Sequence, residues 1–427
     1  MALEDFLVEQ RWFGSKAREV AHVDVLEEIP LRDGLRATFV ESVFSAGTHE
    51  TYQLLLERKG TKDVLAQRAG VLLDLIREGA DVEHDESVIR FRNLHDIPAA
   101  GAPHPVGAEQ SNSSVVFGDE LILKVFRRVE PGINPDLEIS RFLTEHGFER
   151  IPGLAGYYEV EGRSLDATLG MLQPFVAGAR DGWELALDEL EHDPEALLRR
   201  IERLGEVIGE MHAVLGSDAS DPAFAPEEPS TESLGLLTAT IDEEIERIFL
   251  ELDGREEAAE IVGRGAEVRD LLRMLTQVAT GGRVIRHHGD LHLGQTLYAD
   301  GDWLVLDFEG EPARPLAERR RKRSPLRDVA SMLRSFAYAV SALEIQRSRS
   351  APAGWEQRAR ETFLDGYSRT VEQSLLPPGQ AATGQLLAIF ELEKAVYELR
   401  YELNNRPDWV RIPVAGIQRL LAGAVEA

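Results

Sequence analysis

Residues 284–310 read VIRHHGDLHLGQTLYADGDWLVLDFEG, and the spacing of their polar side chains is informative. The dipeptide Asp300-Gly301 favours a two-residue turn, so the strand-like runs around it predict a β-hairpin. The second strand of that hairpin ends at Asp307, while the loop before the hairpin carries Asp290 and, five residues later, Gln295. We therefore expect one loop and one hairpin to bring Asp290, Gln295 and Asp307 into a small space.

These three side chains suit phosphoryl transfer. That reaction needs a positioned acceptor hydroxyl and neutralised phosphate charge more than it needs covalent chemistry from the protein. The carboxylate of Asp290 can orient the hydroxyl and accept its proton. Asp307 can hold Mg²⁺ against a triphosphate, and the amide oxygen of Gln295 can complete the metal site, because Mg²⁺ prefers oxygen ligands.

The run H-G-D-x-H-x-G-Q at 288–295, followed by D-F-E-G at 307–310, resembles the aminoglycoside phosphotransferase and protein-kinase-like superfamily. Gln295 stands where that pattern usually has Asn, and Glu309 stands where it has Gly. Both departures are themselves the pattern of the maltokinase family. The continuation through Ser324-Pro325-Leu326-Arg327-Asp328-Val329 is also similar to maltokinases.

A second resemblance lies at the other end of the chain, where Arg11-Trp12-Phe13-Gly14 is similar to the maltokinase N-terminal cap. The first part of the chain alternates strand-like and helical runs, and the part after about residue 176 is mainly helical, which indicates an α+β fold. Together these features predict a bilobal protein-kinase-like fold with a β-rich N-terminal lobe and a mainly α-helical C-terminal lobe. The expected limits are 1–98 for the cap subdomain, 99–176 for the rest of the nucleotide-binding lobe, and 177–427 for the helical lobe.

The strand-like run ELILKVFR at 120–127 places a lysine on an apolar face. Period-2 alternation puts Lys124 beside Ile122 and Phe126, and a lysine there is costly unless it is paired. We interpret Lys124 as the residue that grips the α- and β-phosphates, steadied by Glu138 on the next predicted helix. The alternative is an edge-strand lysine whose ammonium group reaches solvent.

The strand is not preceded by a glycine-rich phosphate loop. Small polar residues stand there instead, and their hydroxyls and backbone N–H groups could cradle phosphate oxygens. This predicted phosphate loop comprises Ser111, Asn112, Ser113 and Ser114. The run 171–176 looks like the hinge between the lobes, so Gln173 and Val176 are expected beside the adenine base.

A helix predicted at about 385–404 is the candidate acceptor site. Lys394, Tyr397 and Tyr401 share one face of it, and aromatic rings stack on the apolar faces of sugars. The segment K-A-x-Y-E-x-x-Y-E-x-x-N-R-P at 394–407 is similar to the sugar-binding helix of maltokinases. The predicted substrate contacts are His288, Glu309, Lys394, Tyr397, Glu398, Tyr401 and Arg406.

The resemblance implies ATP-dependent, Mg²⁺-assisted phosphorylation of maltose at its anomeric hydroxyl, giving maltose 1-phosphate. It also implies a place in α-glucan and trehalose metabolism, and whether a trehalose-converting enzyme associates with this chain is a question that the sequence leaves open. Glucosamine kinases are the nearest alternative. They must hold an ammonium group, which Lys394 disfavours, although Glu393, Glu398 and Glu402 stand nearby in the sequence. An aminoglycoside acceptor and a regulatory pseudokinase also remain as alternatives, the latter disfavoured by the intact set of polar residues.

The histidines of this segment and the basic run after it do not require a metal or a phosphate ligand to explain them. His287, His288 and His292 are too close together to supply three ligands to one metal, and His288 is expected to brace the loop by hydrogen bonds. The basic run RRRKR at 319–323 is expected to be a solvated loop.

Composition excludes several other classes of protein. The 427 residues include no cysteine, which excludes disulfides, thiolate metal sites and thiol nucleophiles. The formal net charge of −28 disfavours nucleic acid and anionic membranes as partners. Long apolar runs are absent, and acids at the N-terminus argue against a secretory signal, so we expect a cytoplasmic protein.

Overall fold

The computed structural model describes residues 3–58, 60, 62–106, 112–252, 254–278, 281–312 and 314–426. Within those ranges, every helix is too short or too polar to cross a bilayer. The chain divides into two compact units, of which the first comprises residues 1–178 and 311–319 and the second comprises residues 179–310 and 320–427.

The strands are β1 (Val20–Pro30), β2 (Leu35–Phe44), β3 (His49–Glu57), β4 (Asp81–His84), β5 (Ser87–Asn93), β6 (Pro103–Pro105), β7 (Asn112–Phe117), β8 (Leu121–Phe126), β9 (Arg128–Val129), β10 (Gly156–Glu161), β11 (Asp166–Pro174), β12 (Arg180–Asp181), β13 (Thr296–Ala299) and β14 (Asp302–Val305). The helices are α1 (Leu3–Glu9), α2 (Leu65–Glu78), α3 (Pro135–Glu145), α4 (Gly182–His192), α5 (Pro194–Leu215), α6 (Thr231–Glu251), α7 (Gly265–Val278), α8 (Leu316–Arg319), α9 (Leu326–Arg347), α10 (Trp355–Thr370), α11 (Gln380–Asn405) and α12 (Arg411–Glu426).

Two antiparallel sheets build the first unit. One has the order β1-β2-β3-β9, and the other has the order β4-β5-β10-β11-β8-β7-β6. Trp12 and Phe13 are buried against the first sheet, with ring centroids 5.7 and 5.2 Å from that of Tyr52. The buried Gln53 of β3 joins the two sheets, because its amide nitrogen donates to the carbonyl oxygens of Phe126 (3.0 Å) and Leu169 (2.9 Å).

The second sheet confirms the predicted strand around Lys124. In the register of β8, Lys124 stands opposite Met171 of β11 and Ser114 of β7. The segment 99–105 contributes β6 to the edge of this sheet. Prolines fit there because an edge strand does not need every N–H group.

Side-chain caps begin two of the helices. The Asn134 side chain accepts a hydrogen bond from the backbone N–H of Asp136 (2.8 Å) at the start of α3, with Pro135 in the first position. The Asp193 side chain caps α5 in the same way, accepting from the N–H of Ala196 at 3.0 Å. Both helices therefore begin with a side-chain cap followed by a proline.

In the second unit, α5 packs very closely on α10. A Cβ added at Gly205 would lie 2.2 Å from the carbonyl oxygen of Phe363, and one added at Gly366 would lie 2.1 Å from that of Glu202. The helix predicted at about 385–404 is observed as α11. The chain leaves it at Pro407, as proline requires, and then forms α12, which the sequence did not indicate.

Candidate active site

Asp328, in the first turn of α9, anchors the loop that precedes β13. Its carboxylate accepts hydrogen bonds from the backbone N–H groups of His288 (2.8 Å) and Gly289 (2.9 Å) and contacts His212 Nε2 at 3.1 Å. The other nitrogen of His212 lies 3.0 Å from the hydroxyl of Tyr367. Asp328 and His212 are fully buried. This network therefore ties the loop to α5, α9 and α10 through charge-assisted hydrogen bonds.

The electrostatics of the anchor keep it ionised. Burial alone would raise the pKa of Asp328, but the imidazoles of His287 and His212 outweigh burial, and the net pKa lies well below its ordinary value. Burial lowers the pKa of His287 to about 4 against the opposing effect of Asp328. His287 is therefore neutral at pH 7, and within the described ranges its Nδ1 has no hydrogen-bond partner.

The other two histidines serve the loop itself. His288 Nε2 lies 2.8 Å from the carbonyl oxygen of Leu306, and its ring packs on that of Phe308. His292 Nδ1 accepts a hydrogen bond from the N–H of Gly294 at 3.0 Å. The expected bracing role of His288 is confirmed. Among the described residues, no cluster of ligand atoms suited to a metal combines the three histidines.

Asp290 lies beside α11. Lys394 Nζ is 3.6 Å from Asp290 Oδ1, and both side chains are about a quarter exposed or less. The same ammonium group lies 5.4 Å from the centroid of the Tyr397 ring, within the range of a cation–π contact. The second unit therefore brings the predicted base and the predicted sugar-binding face together.

Gln295 and Asp307 also meet. The amide nitrogen of Gln295 donates to Asp307 Oδ2 at 3.1 Å. Asp307 has a φ of +62°, a left-handed conformation that costs a non-glycine residue roughly 1–2 kcal/mol and is common at functional sites. One carboxylate and one amide oxygen are ligands that suit Mg²⁺, so the residues present fit that ion. The neighbouring Glu309 is buried.

The remaining predicted sugar contacts lie along α11. Glu398 Oε2 accepts two hydrogen bonds from the buried Arg334, at 2.9 and 2.6 Å, so a sugar hydroxyl would have to use its other oxygen. Tyr401 is 45% exposed, and the guanidinium of Arg406 lies 5.5 Å from its ring centroid. Arg406 is itself paired with Glu402 of the same helix at 2.6 Å.

In the first unit, Lys124 has a partner that the sequence interpretation missed. Its Nζ lies 2.8 Å from Asp136 Oδ2, an ion pair between β8 and the first turn of α3. The predicted partner, Glu138, is buried two residues further along that helix. Both acids stand in the first turn of the same helix, and this clustering was the available signal for Asp136.

The predicted phosphate loop is only partly visible, since Ser111 lies outside the described residues. Asn112, Ser113 and Ser114 begin β7, and the Ser113 hydroxyl accepts a hydrogen bond from Arg127 Nε at 2.8 Å. Two further hydrogen bonds, at 2.7 and 2.9 Å, join the guanidinium of Arg127 to the carboxylate of Asp63.

The remaining nucleotide-side predictions lie at the end of β11. The amide nitrogen of Gln173 donates to the carbonyl oxygen of Pro152 at 3.3 Å, and Val176 follows the strand as a half-buried residue.

The basic run at 319–323 is more ordered than a solvated loop. In the first unit, Arg319 pairs with Glu130 at 2.8 Å. In the second unit, Lys322 donates to the carbonyl oxygens of Pro222 (2.8 Å) and Ala225 (2.7 Å). The solvated-loop prediction was therefore wrong for these two residues. An acid far away in sequence pairs with Arg319, and carbonyl oxygens far away in sequence accept hydrogen bonds from Lys322.

Two families of known proteins match parts of this chain. The sequence profile of the phosphotransferase enzyme family matches residues 102–368, and that of the maltokinase N-terminal cap domain matches residues 6–72. A glucosamine kinase of Streptacidiphilus jiangxiensis is 26% identical, with 73% of this chain and 72% of the relative covered. A glucosamine kinase of Mycolicibacterium smegmatis is 28% identical, with 75% and 80% covered.

A solved structure of a glucosamine kinase in complex with glucosamine, ADP and inorganic phosphate superposes with a TM-score of 0.75. It is 21% identical, and the match covers 97% of this chain and 96% of that one. At this level of identity the likeness shows the fold. The expected α+β kinase-like fold, with a β-rich first part, an N-terminal cap and a helical second part, is therefore confirmed.

Proposed function

This chain belongs to the phosphotransferase enzyme family, and we propose that it transfers the γ-phosphoryl group of ATP to the anomeric hydroxyl of maltose. It is a kinase whose acceptor is an alcohol group, and the proposal concerns which alcohol. The observation that carries it is the 3.6 Å separation of Lys394 from Asp290, because it joins the sugar face of α11 to the predicted base.

In the proposed reaction, Asp290 takes the proton of the sugar hydroxyl while the hydroxyl oxygen of the sugar forms a bond to the γ-phosphorus. The bond from that phosphorus to the β–γ bridging oxygen breaks, and ADP leaves with the electron pair. Lys124, steadied by Asp136 and Glu138, binds the α- and β-phosphates. Mg²⁺ would be held by Asp307 and Gln295, and when bound it neutralises phosphate charge.

The charges on α11 favour a neutral sugar over an amino sugar. Three acids of α11 that could hold an ammonium group are each paired with an arginine. The pairs are Glu393 with Arg327 (2.7 Å), Glu398 with Arg334 (2.6 Å) and Glu402 with Arg406 (2.6 Å). The cation beside Asp290 would repel an ammonium group, whereas the aromatic rings of the half-buried Tyr397 and the exposed Tyr401 suit a neutral pyranose.

Glucosamine is the second candidate, and the glucosamine kinase relatives favour it. The complex of one such kinase with ADP supports ATP as the donor in either case. Product analysis separates the two candidates. After incubation with Mg²⁺-ATP and each sugar, ³¹P NMR distinguishes a phosphate on the anomeric carbon from one on a primary hydroxyl. An amino-sugar phosphate as the sole product would refute the maltose assignment.

The role of Asp290 has its own test. Asp290→Ala should abolish turnover and leave the binding of a non-hydrolysable ATP analogue nearly intact, since the carboxylate acts on the acceptor. Asp270→Ala, on the exposed surface of α7, is the matched control and should keep wild-type turnover. Turnover that survives in Asp290→Ala would show that the base lies elsewhere.

Three statements about context remain predictions. The cytoplasmic location can be checked by fractionation, and the Mg²⁺ requirement by turnover in a chelator with metal added back. Association with a trehalose-converting enzyme can be checked by co-purification from cells that express both proteins.

A further inference from the structure

A carboxylate of α6 contacts α11 close to Tyr397, one of the predicted sugar-binding residues. Arg400 Nη1 lies 2.7 Å from Glu244 Oε1. The guanidinium of Arg400 in turn lies 5.6 Å from the centroid of the Tyr397 ring. Lys394 contacts the same ring from one turn earlier in the helix, at 5.4 Å. Tyr397 is thus flanked by a cation on either side along the helix, and the later of the two, Arg400, is paired with α6.

Two like charges around one ring repel each other unless a counter-charge holds them apart. Arg400 is long, its side chain is 38% exposed, and an unpaired arginine of this kind samples many rotamers. Glu244, whose side chain is 24% exposed, supplies that counter-charge through Oε1, while its Oε2 accepts a hydrogen bond from Arg247 of the same helix. The orientation of Arg400 over Tyr397 therefore depends on Glu244.

The helix that carries Glu244 is itself firmly placed. The residues Ile241, Ile245 and Ile248 on one of its faces are fully buried. Arg269 of α7 donates to both carboxylate oxygens of Asp242, at 2.7 and 2.5 Å. Glu244 is therefore presented to α11 from a rigid support.

We infer that Glu244 is a positioning residue for the acceptor. By holding Arg400 over Tyr397, it fixes the ring on which the acceptor sugar stacks, and it makes the α6–α7 hairpin part of the acceptor site. This inference rests on the proposed function, since it takes Tyr397 as a sugar-stacking ring. It does not depend on whether the sugar is maltose or glucosamine.

The test is Glu244→Gln, assayed with whichever sugar the wild-type enzyme phosphorylates. An ion pair of this exposure contributes little to folding, so the melting temperature should stay within about 2 °C of wild type. The acceptor KM should rise about twofold to fivefold, and the ATP KM should stay unchanged. Glu246→Gln is the matched control. It makes the same change on the same helix, where Glu246 lies 3.7 Å from Arg269, and it should leave both constants at wild-type values.

A double-mutant cycle sharpens the result. Arg400→Met should raise the acceptor KM to a similar extent, and Glu244→Gln combined with Arg400→Met should be no worse than either single change. Additive effects, a parallel rise in the ATP KM, or a wild-type acceptor KM in Glu244→Gln would each overturn the inference. A wild-type enzyme active on glucosamine and not on maltose would refute the maltose assignment alone, and the cycle would then run on glucosamine. A wild-type enzyme silent with all sugars would overturn both proposals.

Discussion

Replacing Asp328 by asparagine keeps the shape of the side chain and removes its charge. In the wild-type protein, one carboxylate oxygen accepts from the N–H of His288 and contacts His212, and the other accepts from the N–H of Gly289. Asparagine has only one oxygen, so its NH₂ group must face a donor at one of these positions. The substitution therefore removes at least one buried hydrogen bond and weakens the others.

A buried donor left unsatisfied costs about 1–3 kcal/mol, and a hydrogen bond to a charged group loses about half its strength when the charge is removed. We expect Asp328→Asn to lower the free energy of unfolding by about 3 kcal/mol. For a unit of this size that corresponds to a melting temperature lower by roughly 5–15 °C. The substitution loosens the hold of α9 on the loop that carries Asp290. The kcat should therefore fall at least about tenfold, which corresponds to about 1.4 kcal/mol in the activation free energy.

The assays are thermal unfolding and steady-state turnover at a temperature where the variant is folded. Asp365→Asn, an exposed position on α10, is the matched control and should change stability by no more than about 0.5 kcal/mol. If Asp328→Asn melts and turns over like the wild-type protein, the anchoring role given to Asp328 is wrong.

Three further predictions concern other parts of the molecule. Lys394→Ala should raise the acceptor KM more than it changes ATP affinity, and an unchanged acceptor KM would move the sugar site away from α11. The pKa of His287 is about 4 in the folded protein and near 6.5 in the unfolded chain, so as the pH falls the unfolded chain binds the proton before the folded protein does. Unfolding free energy should therefore fall by up to about 3 kcal/mol between pH 6.5 and 4. His287→Phe should flatten that dependence in urea titrations, and an identical pH dependence in the variant would contradict the assignment. Arg127→Met breaks the buried bidentate pair with Asp63 and should lower the free energy of unfolding by about 3 kcal/mol. The control Arg68→Met, whose partner Glu57 is exposed, should change it little. Equal melting temperatures for the two variants would contradict the reasoning.

Local patterns predicted the elements that position the site. The Asp300-Gly301 turn between β13 and β14 depends on two residues next to each other in sequence. The lysine of β8 was found from strand alternation, and the shared face of Lys394 and Tyr397 was found from helical spacing. In each case the interaction that decides the structure spans only a few residues.

Polar contacts between distant segments could not be predicted in this way. Asp328 anchors a loop 40 residues before it, and Glu244 reaches an arginine 156 residues further along the chain. Asp136 was missed because two acids share the first turn of α3, and the sequence interpretation took only the second of them, Glu138, as a partner of Lys124. The helix α6 was missed because Thr238, Thr240 and Gly235 weaken its local preference for helix, while buried isoleucines stabilise it through packing.

The central claim, a sugar kinase whose acceptor is neutral, is tested most directly by ADP release from the purified protein with Mg²⁺-ATP. Maltose, glucosamine, glucose and an aminoglycoside should be compared side by side at equal concentration. We predict strong release with maltose and little with the others, because the acids of α11 are paired with arginines and Lys394 stands beside Asp290. Release with glucosamine and none with maltose would contradict this account of the acceptor site.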